Sequence, residues 1–172
     1  MALTSQLGRG TTVELWLPQS NAKKTVPRLN GGTRADLNAA SLSVLVVDDD
    51  HMIMEVTAAI LDDLGHTAIP VNSGQSALDY LRSESSKIDL VLTDHAMPGM
   101  TGVELAARIR EVWSGLPVIL ASGYAEIPVG EGLGLVRLAK PYRPEDLNAA
   151  VLSAMAKRET ERQLETHATI EV

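Results

Sequence analysis

Residues 88–99 read IDLVLTDHAMPG, and this stretch decides the fold. The run IDLVL has the length and branched aliphatic content of a short buried strand. It ends in Asp94, and Met97-Pro98-Gly99 then forces a turn. Open α/β sheets gather their chemistry at the carboxyl ends of their strands, so Asp94 is a candidate reactive group. Taken alone, it is equally an ordinary aspartate opening a turn.

The flanking sequence supplies a sheet. LSVLVVDDD, residues 42–50, is a continuous apolar strand ending in three acids. HMIMEVTAAILDDLG follows, with Ile53, Val56, Ile60 and Leu64 at helical spacing and Gly65 as a stop. HTAIPV is a short strand. Ser73 caps a helix over SGQSALDYLRS whose apolar face is Ala77, Leu78 and Leu81. After the Asp94 turn, GVELAARIREVW is a helix with Leu105, Ala106, Ile109 and either Val112 or Trp113 inward. PVILAS and VRLAK are the fourth and fifth strands. Pro144 opens a last helix, PEDLNAAVLSAMAKR, where Glu145 and Asp146 suit the dipole and Leu147, Val151, Ala154 and Met155 face inward. Apolar strands alternating with helices five times predict an α/β fold, a doubly wound parallel five-stranded sheet with helices on both faces. The segment GYAEIPVGEGLGL between Ser122 and Val136 is rich in Gly and Pro, so the fourth helix should be short or irregular.

In such a sheet all strand carboxyl ends open onto one edge. Strand one delivers Asp48 and Asp49, strand three Asp94, strand four Ser122 and strand five Lys140, while strand two delivers the quiet Val71 and Asn72. Singly, each has a plain reading. The Asp48–Asp50 run is an exposed turn with Asp50 as a helix cap, Ser122 a small filler, and Lys140 a solvated surface lysine. Together they are three carboxylates, a hydroxyl and an ammonium at one edge. Crowded carboxylates repel, and a hard cation such as Mg²⁺ relieves this with oxygen ligands. A bound cation would draw in a phosphate dianion, with Asp94 as the in-line nucleophile. Ser122 and Lys140 would stabilise the transferring group. His51, His66, His95 and His167 are scattered, and none reads as a metal ligand.

Composition narrows the remaining classes. The chain has 172 residues, enough for one domain with tails, and 45% hydrophobic residues, enough for a core. Aromatics are 3% with no Phe, so the core must be aliphatic. There is no Cys, which excludes disulfides and thiolate chemistry and suits a reducing cytoplasm. No apolar run approaches the ~20 residues of a membrane span, and no signal peptide is visible, so no membrane contact is expected. The net charge of −7 is uneven: +3 over residues 1–41, −7 over 42–158 and −3 over 159–172. An acidic central domain argues against nucleic-acid binding.

The N-terminal segment stands apart. In TTVELWLP, Val13, Leu15 and Leu17 alternate with Thr12, Glu14 and Trp16, giving one amphipathic strand without an evident partner. It reads either as a sticky disordered arm or as the end of something larger. Residues 19–41 have the polar, Gly- and Pro-containing composition of a flexible linker. Residues 159–172 form a C-terminal tail that extends the last helix or frays, with no room for a DNA-reading output domain.

VLVVDDD, DLVLTDHAMPGMTG, PVILASGYA and LAKPY occur in this order, and residues 42–158 resemble a response-regulator receiver domain (CheY-like). The resemblance implies a (βα)5 flavodoxin-like fold. It implies Mg²⁺ held by Asp49 directly, by Asp48 largely through water, by Asp94, and by the main-chain carbonyl of Ala96. It implies phosphoryl transfer onto Asp94 from a phosphohistidine of a histidine kinase or histidine phosphotransfer protein, Ser122 and Lys140 assisting, and a cis Lys140–Pro141 bond. Arg137 stands where an aromatic switch residue is often found in the family, so an aromatic switch is not expected. GRGTTVELWLP resembles the last glycine box and final strand of a histidine-kinase ATPase domain, with Gly8, Gly10 and Thr11 in the glycine-box positions. Residues 1–18 then read as a remnant of that domain, and the whole as the C-terminal piece of a hybrid sensor histidine kinase. The rest of an ATP site is missing, so the chain alone is not expected to be an enzyme beyond self-catalysed transfer to Asp94. Output must be protein–protein contact in a phosphorelay. The alternatives are a hybrid-kinase fragment that carries the kinase label of its parent and a binding-only pseudo-receiver. A Mg²⁺-dependent phosphatase of another family would want an Asp two residues after the nucleophile, where Ala96 stands.

Overall fold

Five apolar runs, each four or five residues long, pair side by side as β3 (Ser43–Val47), β4 (Thr67–Val71), β5 (Leu90–Asp94), β6 (Val118–Ser122) and β7 (Val136–Ala139). All are parallel, in the order β4-β3-β5-β6-β7. This computed structural model describes residues 2–6, 8, 10–14, 16, 41–123 and 134–170. The order is the flavodoxin-like 2-1-3-4-5 arrangement, whose switch point lies between β3 and β5. Pro70 sits in β4, an edge strand, where a missing N–H costs the ladder least. Ile88 and Asp89, counted in the strand on sequence, precede it. Asp89 instead turns back to Ser43, its Oδ2 accepting from the Ser43 N–H at 2.9 Å.

Four α-helices are found among the described residues: α1 (His51–Asp63), α2 (Gly74–Glu84), α3 (Gly102–Val112) and α4 (Pro144–Ile170). The fourth crossover, expected to be short or irregular, falls mainly at 124–133, outside the described residues. Each sheet face has its own core. Val44, Val46, Leu90, Leu92, Ile119 and Ala121 meet Met54 and Leu61 of α1 and Leu147, Ala150, Val151 and Ala154 of α4. Leu45, Val47, Val91 and Val118 meet Ala77, Leu78 and Leu81 of α2 and Leu105, Ala106 and Ile109 of α3. The expected α2 and α3 faces are the buried ones, with Trp113 rather than Val112 turned inward.

The α1 face differs from its reading. Met54, Thr57 and Leu61 are buried, whereas Val56 is 59% exposed and Ile53, Ile60 and Leu64 only half-buried. The inward stripe lies one residue on from the expected one, with Met54 and Leu61 in the core, and the buried Thr57 between them is satisfied by the Tyr142 hydroxyl at 2.7 Å.

Caps fix the helix starts. Asp50 accepts from the N–H groups of Met52 and Ile53, and Thr101 and Glu104 form a capping box at α3. Gly65 ends α1 with a φ of 86°, open to glycine at little cost. The helix α4 runs to Ile170, so most of the expected tail is helical. Glu159 pairs with Arg162 along it.

The chain divides into two compact units, Met1–Ala39 and Ala40–Val172. In the first, β1 (Ala2–Gln6) pairs antiparallel with β2 (Gly10–Glu14), bringing Leu3 beside Val13. The expected lone strand over TTVELWLP therefore has a partner, and the strand ends at Glu14. ALTSQ carries too little apolar contrast to announce itself as that partner. Gly8 and Gly10, with φ of 79° and 93°, make the turn between them.

At Gly102, α3 starts against β5. A Cβ there would fall inside contact distance of the Asp94 carbonyl and lie 2.6 Å from Leu120 Cδ1. Gly102→Ala should therefore lower the urea unfolding free energy by about 2–3 kcal/mol. A wild-type midpoint for the variant would contradict the close approach.

Candidate functional site

The carboxyl ends of β3 and β5 bring their acids to one point. Asp48 and Asp49 follow Val47, and Asp94 ends β5. One ligand atom from each lies within 4.8 Å of the others. Asp48 and Asp94 are 5% and 8% exposed, while Asp49 faces solvent. Asp48 is fixed by local turn chemistry, its Oδ1 accepting from the Asp50 N–H at 2.9 Å. Asp94 Oδ2 accepts from the Ala96 N–H at 3.0 Å.

The Lys140 side chain crosses to both buried acids. Its Nζ is 2.7 Å from Asp94 Oδ1 and 2.9 Å from Asp48 Oδ2. Burial alone would lower its pKa, but the hydrogen bonds to Asp94 and Asp48 and the charges of both outweigh this. The net shift is upward from the ordinary lysine value of 10.5. Lys140 is therefore an ammonium at neutral pH. Its backbone is held by its N–H donating to the Ser122 carbonyl at 2.8 Å, and the Lys140–Pro141 bond is cis.

Ser122 ends β6 on the same edge and is buried. Its carbonyl serves Lys140, whereas its hydroxyl makes no side-chain hydrogen bond among the described residues. The turn after Asp94 is anchored from below: Met97 and Met100 are buried in the α2/α3 core, and the Gly102 N–H donates to the His95 carbonyl at 3.0 Å. His95 itself is buried, and its Nδ1 lacks a hydrogen-bond partner among the described residues. Its position directly after Asp94 was the only sequence signal of this. A cluster of hard carboxylate oxygens with an exposed member fits a small divalent cation, with Asp48, Asp49 and Asp94 as the available side-chain donors.

The ammonium offsets two nearly buried negative charges. In metal-free protein, Lys140→Met should cost about 3 kcal/mol at neutral pH. A raised lysine pKa stabilises fully below the unfolded value and is lost as pH rises through the folded one. The stability gap between wild type and Lys140→Met should thus hold steady from about pH 7 to 9 and close only above the ordinary value of 10.5. Urea unfolding across that range checks it, and a gap already closing below about pH 9 would contradict the bridge.

Comparison with known proteins agrees with the geometry. Residues 44–152 match the response regulator receiver domain family. The sensor kinase CckA of Brucella abortus (strain 2308) is 27% identical over 168 residues, covering 90% of this chain and 18% of that protein. The DNA-binding response regulator MtrA of Mycolicibacterium smegmatis is 32% identical over 123 residues, covering 69% of this chain and 52% of that protein. The chain thus spans less than two thirds of the length of these relatives. The crystal structure of a response regulator receiver protein from Pseudomonas putida superposes with a TM-score of 0.59 at 31% identity, over 67% of this chain and 98% of that one. With the family matched across most of the chain, and the fold and acidic edge arranged as above, the chain belongs to the response-regulator receiver family.

Proposed function

We propose that this chain is the phosphoacceptor module of a two-component phosphorelay. The observation that carries the reading is the grip of one ammonium by two nearly buried carboxylates, with a third beside them. An Asp94 carboxylate oxygen attacks the phosphorus of a phosphohistidine on a histidine kinase or histidine phosphotransfer protein. The new bond is O–P, the broken bond is N–P, and neutral imidazole leaves after taking up a proton. Lys140 then exchanges part of its contact with Asp94 for the phosphoryl oxygens, and the Ser122 hydroxyl donates to another of them. Asp49 directly, Asp48 through water, Asp94 and the Ala96 carbonyl would hold Mg²⁺. When bound, the ion supplies positive charge that balances the phosphoryl group. Output is protein–protein contact, biased by the charge change at this edge.

A second reading concerns the parent protein. The likeness to a sensor kinase extends over 90% of the chain, beyond the receiver and towards the N-terminal hairpin. This supports residues 1–18 as the end of a histidine-kinase ATPase domain, residues 19–41 as a linker, and the chain as the C-terminal part of a hybrid kinase. By itself the chain would not use ATP.

Incubation with acetyl phosphate and Mg²⁺ should add one phosphoryl group by intact mass, and Asp94→Asn should add none. ATP with Mg²⁺ should give no adduct. An unmodified wild type would favour a binding-only pseudo-receiver, and an unchanged adduct on Asp94→Asn would overturn the acceptor assignment.

A further inference from the structure

The amino ends of the strands open onto the edge opposite Asp94, and a cavity of about 280 Å³ lies there, walled by the starts of β6 and β7, by α3 and by α4. Its charged lining is three cations, Arg110, Lys157 and Arg158, against the single acid Glu161, in a chain whose net charge is −7. Arg110 is exposed in the last turn of α3 and makes no hydrogen bond or ion pair among the described residues. Arg158 is half-buried; its Nη1 donates to the Asp89 carbonyl at 3.3 Å, and it forms no ion pair among the described residues. Lys157 Nζ donates to the Gly134 carbonyl and stands 3.8 Å from Glu161 Oε1. An arginine carries five N–H donors and a lysine three, so most of the donors here are unspent. A second cavity, of about 370 Å³, adjoins the first and shares Ser114, Gly115, Leu116 and Arg158 with it. Its lining is otherwise largely apolar, with Ile88, Val112 and Trp113. Val112 is 67% exposed, and Trp113 is half-buried against the α2/α3 core. A cationic hollow and an apolar one therefore lie side by side, joined at Arg158.

We propose that the two hollows form one binding site for a nucleoside diphosphate. The diphosphate lies among Arg110, Lys157 and Arg158, where the guanidinium forks match pairs of phosphate oxygens. The base lies in the adjoining hollow against Trp113, since every base has a face that stacks on an aromatic ring. An inorganic anion would leave the apolar hollow bare, and an apolar ligand would leave three cations unmatched. A ligand with a charged end and a flat ring end uses both, and the cavities have the size of small-molecule sites. Binding is non-covalent. The site shares no residue with Asp48, Asp49, Asp94, Ser122 or Lys140, so it stands whether or not Asp94 accepts a phosphoryl group.

The test is equilibrium dialysis of the full chain against ADP, with no Mg²⁺ present so that the acidic edge repels the nucleotide. One ADP should bind per chain with a dissociation constant below about 1 mM. Inorganic pyrophosphate and adenosine, each offering half of the ligand, should both bind at least about tenfold more weakly. Arg110→Ala and Lys157→Ala should each weaken ADP binding about tenfold, the loss of one charged hydrogen bond. Both side chains are exposed, so both variants should keep the wild-type urea midpoint, which separates lost binding from damage to the fold. In Trp16→Phe, where Trp113 is the only tryptophan left, ADP should quench the fluorescence with the same saturation curve. No saturable ADP binding, or binding unchanged in both Arg110→Ala and Lys157→Ala, would overturn the site. Pyrophosphate binding as tightly as ADP would overturn the assignment of the apolar hollow to the base.

Discussion

Two nearly buried carboxylates and a third exposed one meet at the edge of the sheet, and the rest of the domain can be understood as the means of holding them there. At about 5 Å and an effective dielectric near 20, each like-charged pair repels by about 3 kcal/mol. Nothing in the aliphatic core offsets that. The offset comes from Lys140, which arrives from the end of β7, two strands from Asp94 and three from Asp48. The ammonium and the acids can meet only if the sheet is complete and in register. The site therefore depends on the far edge of the fold as much as on the strands that carry the acids.

That dependence explains several contacts that look unrelated. The Ser122 carbonyl ties the Lys140 backbone to β6, and Leu138 buries β7 against α4. Tyr142, just past the cis proline, reaches the Thr57 hydroxyl and so links the Lys140 turn to α1. On the opposite face, Met97 and Met100 pin the turn after Asp94, and Gly102 lets α3 start against the Asp94 carbonyl. Backbone and side-chain polar bonds position the site. The two apolar cores hold the elements that carry those bonds.

The sequence revealed the strands, their order of chemistry and the acid–hydroxyl–lysine set, because each of these is written locally, as an apolar run ending in a distinctive residue. The α2 and α3 faces were legible for the same reason. The α1 face was not: Thr57 is polar and buried, Val56 apolar and exposed, and the hydroxyl that satisfies Thr57 is 85 residues away. The first hairpin was half seen, since β2 alternates clearly and β1 does not. The length of α4 was left open by hydrophobic spacing, because beyond Arg158 its described side-chain contacts are polar and local. Lys140 taken singly looks like any surface lysine and was legible only as one member of that set, while its contact with both buried acids is visible only in the fold.

The same contacts limit how a charge at Asp94 could be transmitted. The turn following Asp94 is held by two buried methionines, a capping box and the Gly102–His95 bond, so it resists movement towards α3. The groups with freedom to change partners are the Lys140 ammonium, shared between two acids, and the Ser122 hydroxyl, which makes no side-chain hydrogen bond among the described residues. Both sit at the ends of β6 and β7. On the proposed reading, a phosphoryl group would draw on both at once, pulling on strands whose ends are joined by the Lys140–Ser122 bond. On that reading, communication from the acceptor would run sideways across the sheet towards β7 and the start of α4, along the groups that can exchange partners.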